Sequence, residues 1–138
     1  MATGLNETHD PERRSWVAAA NARGADFPIQ NLPYGVFSIG DAAPRCGVAI
    51  GDRILDLAAI EAAGLVRPDP AAAVFDRSRL NDFLGLGPAV WHETRRRLWQ
   101  LLLEAQSELR DDTALRARAF VPIAAARLHL PVFVRSFT

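Results

Sequence analysis

The chain has 138 residues and a mass of 15.1 kDa, enough for one ordinary core and too short for two. Its formal net charge is zero and every basic side chain is arginine, so no broad positive field draws it to nucleic acid, and the Schiff-base or P-loop amine of lysine is absent. Cys46 stands alone, which excludes an intramolecular disulfide and a thiolate zinc cluster and fits a reducing cytoplasm. No apolar run is long enough to span a bilayer, and the first twenty residues lack the apolar stretch of a secretory leader.

The first element expected is a helix. Asp10 is placed to cap it, Pro11 suits the first position, and Trp16, Val17 and Ala20 give it an apolar side before Asn21 to Gly24 end it. About three turns are marginal alone, so this arm needs its own domain or another subunit to rest on. Two prolines in DFPIQNLP, residues 26 to 33, then forbid helix.

YGVFSI follows as a short strand. CGVAI and RILDL flank Gly51-Asp52, a two-residue link of the kind that closes a β-hairpin. Asp56 is placed to cap a short helix through Ile60 and Ala63, which Gly64 ends, and RPDP at 67 to 70 breaks the chain again.

Leu80, Phe83 and Leu84 have helical spacing, Gly85 and Gly87 interrupt, and Pro88 opens the longest helix, expected to reach about Leu109. Trp91, Leu98, Leu101, Leu102 and Ala105 form its apolar stripe, opposite Glu93, Arg96, Arg97, Gln100 and Glu104. Asp111 and Asp112 precede one more short helix through Leu115 and Ala119, and from Phe120 the chain turns extended. Val48, Ile50, Ile54, Leu57, Leu98, Leu101 and Leu102 are expected in one shared core, joined by Phe27, Ile29 and Phe37.

No group of residues forms a recognisable reactive centre. Gly85-Leu86-Gly87 lacks the third glycine of a dinucleotide fingerprint, Val90 standing in its place, and reads as a turn between helices. His9, His92 and His129 are far apart and form no metal-ligand pair; His129, between Leu128 and Leu130, fits a partly buried histidine with its polar atoms satisfied. Asp111 and Asp112 diverge by about 100° on a helix and cannot converge on one atom. Ser15, Ser38, Ser78, Ser107 and Ser136 lack the setting of a nucleophile elbow, Arg95-Arg96-Arg97 reads as a solvated helix face, and Cys46 as a packed thiol.

A longer pattern adds what these residues do not. DFPIQNLPYGVFS with CGVAIGDRILDL, then Leu80 to Gly87 with Trp91, then Leu109-Arg110-Asp111-Asp112, then Leu128-His129-Leu130-Pro131 resemble the opening of the fumarylacetoacetases, in order and near spacing, over about four-fifths of the chain. The resemblance implies an α+β fold, a small SH3-like partly open β-barrel with flanking helices, as the N-terminal domain of a two-domain hydrolase. It divides the chain into an arm at 1–24, the domain at 25–127, and 128–138 as the truncated entry to a catalytic C-terminal domain.

In that family, by the same resemblance, calcium or magnesium held by carboxylates binds the substrate, and a histidine with a glutamate activates water to split 4-fumarylacetoacetate into fumarate and acetoacetate, the last step of tyrosine and phenylalanine catabolism. Almost all of those residues are expected beyond Thr138. No residue of this chain is assigned a catalytic, cofactor-binding or metal role, and the chain alone is expected to be inactive. Aligned without gaps, Arg135, Ser136 and Phe137 stand where the family has glycine, a metal-binding aspartate and tyrosine, and a serine hydroxyl is a poor ligand for a hard cation. The expected partners are the catalytic domain and a further copy in a homo-oligomer, with no nucleic acid or membrane; the rival is a free-standing interaction module of the same fold. The apolar run PVFVRSF is expected to seek a docking surface.

Overall fold

The computed structural model describes residues 14–21, 27, 29–30, 32–103 and 108–129. Five strands, β1 (Tyr34–Ser38), β2 (Arg45–Ile50), β3 (Arg53–Asp56), β4 (Phe120–Pro122) and β5 (Arg127–His129), form one antiparallel sheet in the order β4-β3-β2-β1-β5. The helices are α1 (Leu57–Ala62), α2 (Asn81–Leu84), α3 (Pro88–Leu102) and α4 (Thr113–Ala119).

The hairpin between β2 and β3 turns at Gly51, whose φ of 60° suits glycine, and pairs Val48 with Leu55 and Ala49 with Ile54. A Cβ on Gly51 would also lie 2.8 Å from the Ala20 nitrogen, so the turn rests directly on the N-terminal segment. Curling of the sheet follows from chain length. β4 and β5 lie on opposite edges, about 19 Å apart in a flat sheet, yet only residues 123 to 126 join them, partly as a 3-10 turn. A link that short requires the edges to bend toward each other, which makes the small SH3-like, partly open barrel of this α+β domain.

The two faces bury different things. Val36, Cys46, Val48, Ile50 and Leu55 share a cluster with Leu57 and Ile60 of α1, Phe83 of α2, Leu98, Leu101 and Leu102 of α3, and Leu115 of α4. Ile29 joins it as expected. Phe37 and Ile54 do not: both are buried but lie outside this cluster, because alternation along a strand sends them to the other face. Phe27 is half-buried on that second face.

The expected N-terminal helix is not seen where the chain is described. Ser15 instead makes a β-bridge with Leu103, and a 3-10 turn occupies Ala18–Asn21; Asp10 and Pro11 lie outside the described residues. Asn21 holds the bend, its Oδ1 accepting from the Ser15 N–H at 2.9 Å and its Nδ2 donating to the Ser15 carbonyl at 2.7 Å. The segment packs on its own domain, with Ala20 in the main cluster.

This also explains why α3 stops at Leu102 rather than near Leu109. The Leu102 carbonyl accepts from Ser15 Oγ at 2.6 Å and from the Trp16 N–H at 3.1 Å, and the Leu101 carbonyl accepts from Trp16 Nε1 at 2.8 Å. The terminal carbonyls are thus satisfied by another segment, and Leu103 turns extended. Ala105 lies outside the described residues, and Leu109 sits buried in a turn.

Candidate functional site

The residues of interest surround the second face of the sheet. Gly35 and Gly47 face one another there across β1 and β2. A Cβ on Gly47 would lie 2.6 Å from Ile54 Cγ2 and 2.8 Å from Phe37 Cε1, so glycine lets these two side chains close over the backbone. Beside them an open pocket of about 210 Å³ is lined by Phe27, Pro33, Gly35, Ala49, Ile54 and Leu128. Leu128, on edge strand β5 opposite Phe37, is 66% exposed, which sets it apart from the other large apolar side chains described. The domain boundary drawn between 127 and 128 falls inside this strand.

One rim of this face is charged. Arg45 lies 4.6 Å over the Phe37 ring, and its Nε donates to Asp56 Oδ2 at 2.7 Å. Asp56 has the helix-capping role read from its position: its Oδ1 accepts from the N–H groups of Ala58 and Ala59 at 3.0 and 3.3 Å. At the edge between β1 and β5, Ser38 Oγ and His129 Nε2 are 2.8 Å apart. His129 is therefore half-buried with a polar partner, as its sequence setting indicated. A serine beside a histidine resembles a nucleophile and its base, but Ser38 is buried within a strand and no group described here orients the ring for that work.

The other candidates separate. Gly85 to Gly87 does turn between α2 and α3, closed by Trp91 Nε1 donating to the Phe83 and Leu84 carbonyls. Asp112 caps α4 through the Leu115 N–H, while Asp111 pairs with Arg110. His92 is exposed on α3, and His9 and Ser136 lie outside the described residues. The Cys46 thiol is buried against the Arg77 and Arg79 carbonyls, and burial pushes it up to about 12, the wrong direction for a nucleophile.

Two arginines were misread as solvated. Arg95 donates to the Gln30 carbonyl at 2.6 Å and Arg97 to the Leu65 carbonyl at 2.7 Å, while Arg97 also forms a two-point pair with Glu108. They strap separate segments to α3. Glu61 was missed altogether: buried on α1, it accepts from the backbone N–H groups of Val74 and Phe75 at 2.9 to 3.2 Å. A polar residue in the apolar α1 segment was the signal, but its partners are thirteen and fourteen residues away.

A hollow of about 650 Å³ between Trp16, Asp52, Arg53, Arg116 and Phe120 brings together one acid and two arginines without a second acid. Among the described residues, no three His, Cys, Asp or Glu side chains are grouped to hold a metal ion. No helix among them is long and apolar enough to cross a membrane.

The comparison with known families fits that geometry. The family described as Fumarylacetoacetase N-terminal matches residues 30–131. The chain belongs to that family. Fumarylacetoacetase of Mus musculus is 50% identical over 122 residues, and those of Homo sapiens and Caenorhabditis elegans are 49% and 47% identical over 122 and 120. These matches cover 84 to 85% of this chain but 28% of each relative, so the chain spans little more than a quarter of the fumarylacetoacetases it resembles. The matched stretch runs from Gln30 through β5 and contains the whole sheet, both glycines of the second face, and the Arg45–Asp56 pair.

Proposed function

We propose that this chain serves as the non-catalytic N-terminal domain of a cytoplasmic fumarylacetoacetase, which splits 4-fumarylacetoacetate into fumarate and acetoacetate in tyrosine and phenylalanine catabolism. Its work is structural: it packs on a catalytic C-terminal domain and contributes to a homo-oligomer. The observation that carries this reading is the family match through the entire sheet, combined with relatives about 50% identical over 122 residues of which the chain covers only 28%. Calcium or magnesium is expected in the complete enzyme. The described residues do not fit such a cation, since no three His, Cys, Asp or Glu side chains are grouped among them, and no step of the reaction is assigned to them.

Two measurements test the reading. The intact mass of the native protein from its source should be roughly three times the 15.1 kDa of this chain. The purified 138-residue chain should give no fumarylacetoacetate turnover above buffer, whereas the longer protein should turn it over and lose activity to a chelator. Turnover by the short chain would sink the non-catalytic role, and a native mass of 15.1 kDa would favour a free-standing interaction module.

A further inference from the structure

The second face of the sheet needs an occupant, and the direction of β5 identifies one. We infer that the catalytic domain following β5 docks on the pocket bordered by Phe37, Gly47, Ile54 and Leu128. This deepens the proposed function and rests on it.

Three observations point to that partner rather than to a small molecule or a second copy. The face is apolar at its centre, and at Gly35, where a Cβ would meet nothing within 4 Å, the backbone is low enough for another surface to approach. Leu128 is held by β5 pairing yet stands 66% exposed at the pocket's rim, so covering it removes a large apolar side chain from water. The strand also delivers the chain to the right place. β5 runs antiparallel to β1 and ends at His129 opposite Val36, next to Gly35, which lines the pocket.

Whatever follows β5 in a longer polypeptide therefore starts beside this surface. A domain joined there meets this face at a raised effective concentration, so contact needs little intrinsic affinity. The charged rim adds orientation: Arg45, already held by Asp56, remains 23% exposed and presents a fixed cation beside the apolar centre. A docking surface on the partner should thus be apolar with a carboxylate or backbone carbonyl at its margin.

The test uses Leu128→Cys, a change at an exposed position, in the 138-residue chain and in the longer protein that carries it. Native Cys46 is buried, so a maleimide reports on position 128, read by peptide mass spectrometry and normalised to each protein's rate in denaturant. Labelling should be fast in the short chain and slower by about tenfold or more in the longer protein, with protection unchanged on dilution. Equal normalised rates would overturn the inference, as would protection that falls with dilution, or appears with concentration in the short chain alone, because either would make a second copy the occupant.

Activity separates the two failures. A longer protein that hydrolyses fumarylacetoacetate while position 128 labels freely leaves the proposed function standing and removes only the docking face. If no longer polypeptide carries this chain, both fall together.

Discussion

Ser38 on β1 and His129 on β5 meet through a 2.8 Å contact between Oγ and Nε2, tying the last described strand to the sheet beyond its three backbone pairings. Short edge strands open easily, and one added side-chain hydrogen bond is a large fraction of what holds this one. Ser38→Ala should lower stability by about 1 kcal/mol and speed amide exchange at Arg127 to His129 more than in β2. Unchanged exchange in β5 would show that backbone pairing alone holds the edge.

Asp56 divides its two oxygens between two tasks, and substitutions separate them. Asp56→Ala removes the α1 cap and the Arg45 pair together, for a loss of about 2 to 3 kcal/mol. Asp56→Asn keeps the Oδ1 acceptor but turns an amide donor toward Arg45, for a loss of about 1 kcal/mol. Urea denaturation of both variants checks this, and equal losses would mean that the α1 cap contributes nothing.

Glu61 is buried and anchors the chain after the RPDP break by accepting from Val74 and Phe75. Glu61→Ala leaves two buried N–H groups without that carboxylate and should reduce stability by about 3 kcal/mol, with Glu61→Gln retaining part of it through its remaining acceptor. Thermal unfolding would measure the order of the two. A Glu61→Ala protein as stable as the parent would mean that water replaces the carboxylate at no loss.

Alkaline pH should weaken the fold. Burial pushes the Cys46 thiol up to about 12, opposed by a backbone hydrogen bond at Arg77 and reinforced by Glu61, Asp76 and Asp56, and burial also raises the Tyr34 phenol despite nearby Arg95. Unfolded, both groups release protons at lower pH than in the folded chain, so the folded state binds more protons in that window and loses stability as pH rises. For Cys46 the loss begins near its ordinary value of 9 and continues toward 12, at no more than about 1.4 kcal/mol per pH unit. Denaturant midpoints from pH 8 to 11 should fall, and Cys46→Ala should flatten the first part of the decline. A flat profile in the parent chain would contradict it.

The parts of this fold that were legible in the sequence are those whose causes lie within a few residues. Gly51-Asp52 turns the hairpin, Asp56 and Asp112 cap α1 and α4, and Pro88 follows Gly87 into α3, because each effect is a dihedral preference or a hydrogen bond to the next turn. Family membership was legible for another reason: an ordered series of such local features from Tyr34 to β5 rarely recurs by chance, and the match over 30–131 contains it. The second face was only partly legible, since alternation put Phe37 and Ile54 on one side of their strands without saying that the sheet has two separate apolar layers.

Tertiary structure decided the rest. The end of α3 depends on Ser15 and Trp16, some 85 residues earlier, which take its last carbonyls. Arg95 and Arg97 became straps only because Gln30 and Leu65 lie against α3, and Glu61 is buried because a loop thirteen residues onward presents two N–H groups to it. No local propensity encodes such pairings: a donor's partner is whichever acceptor the packed chain brings within about 3 Å, and an unpaired group buried there would cost more than the helix or strand preference at either end provides.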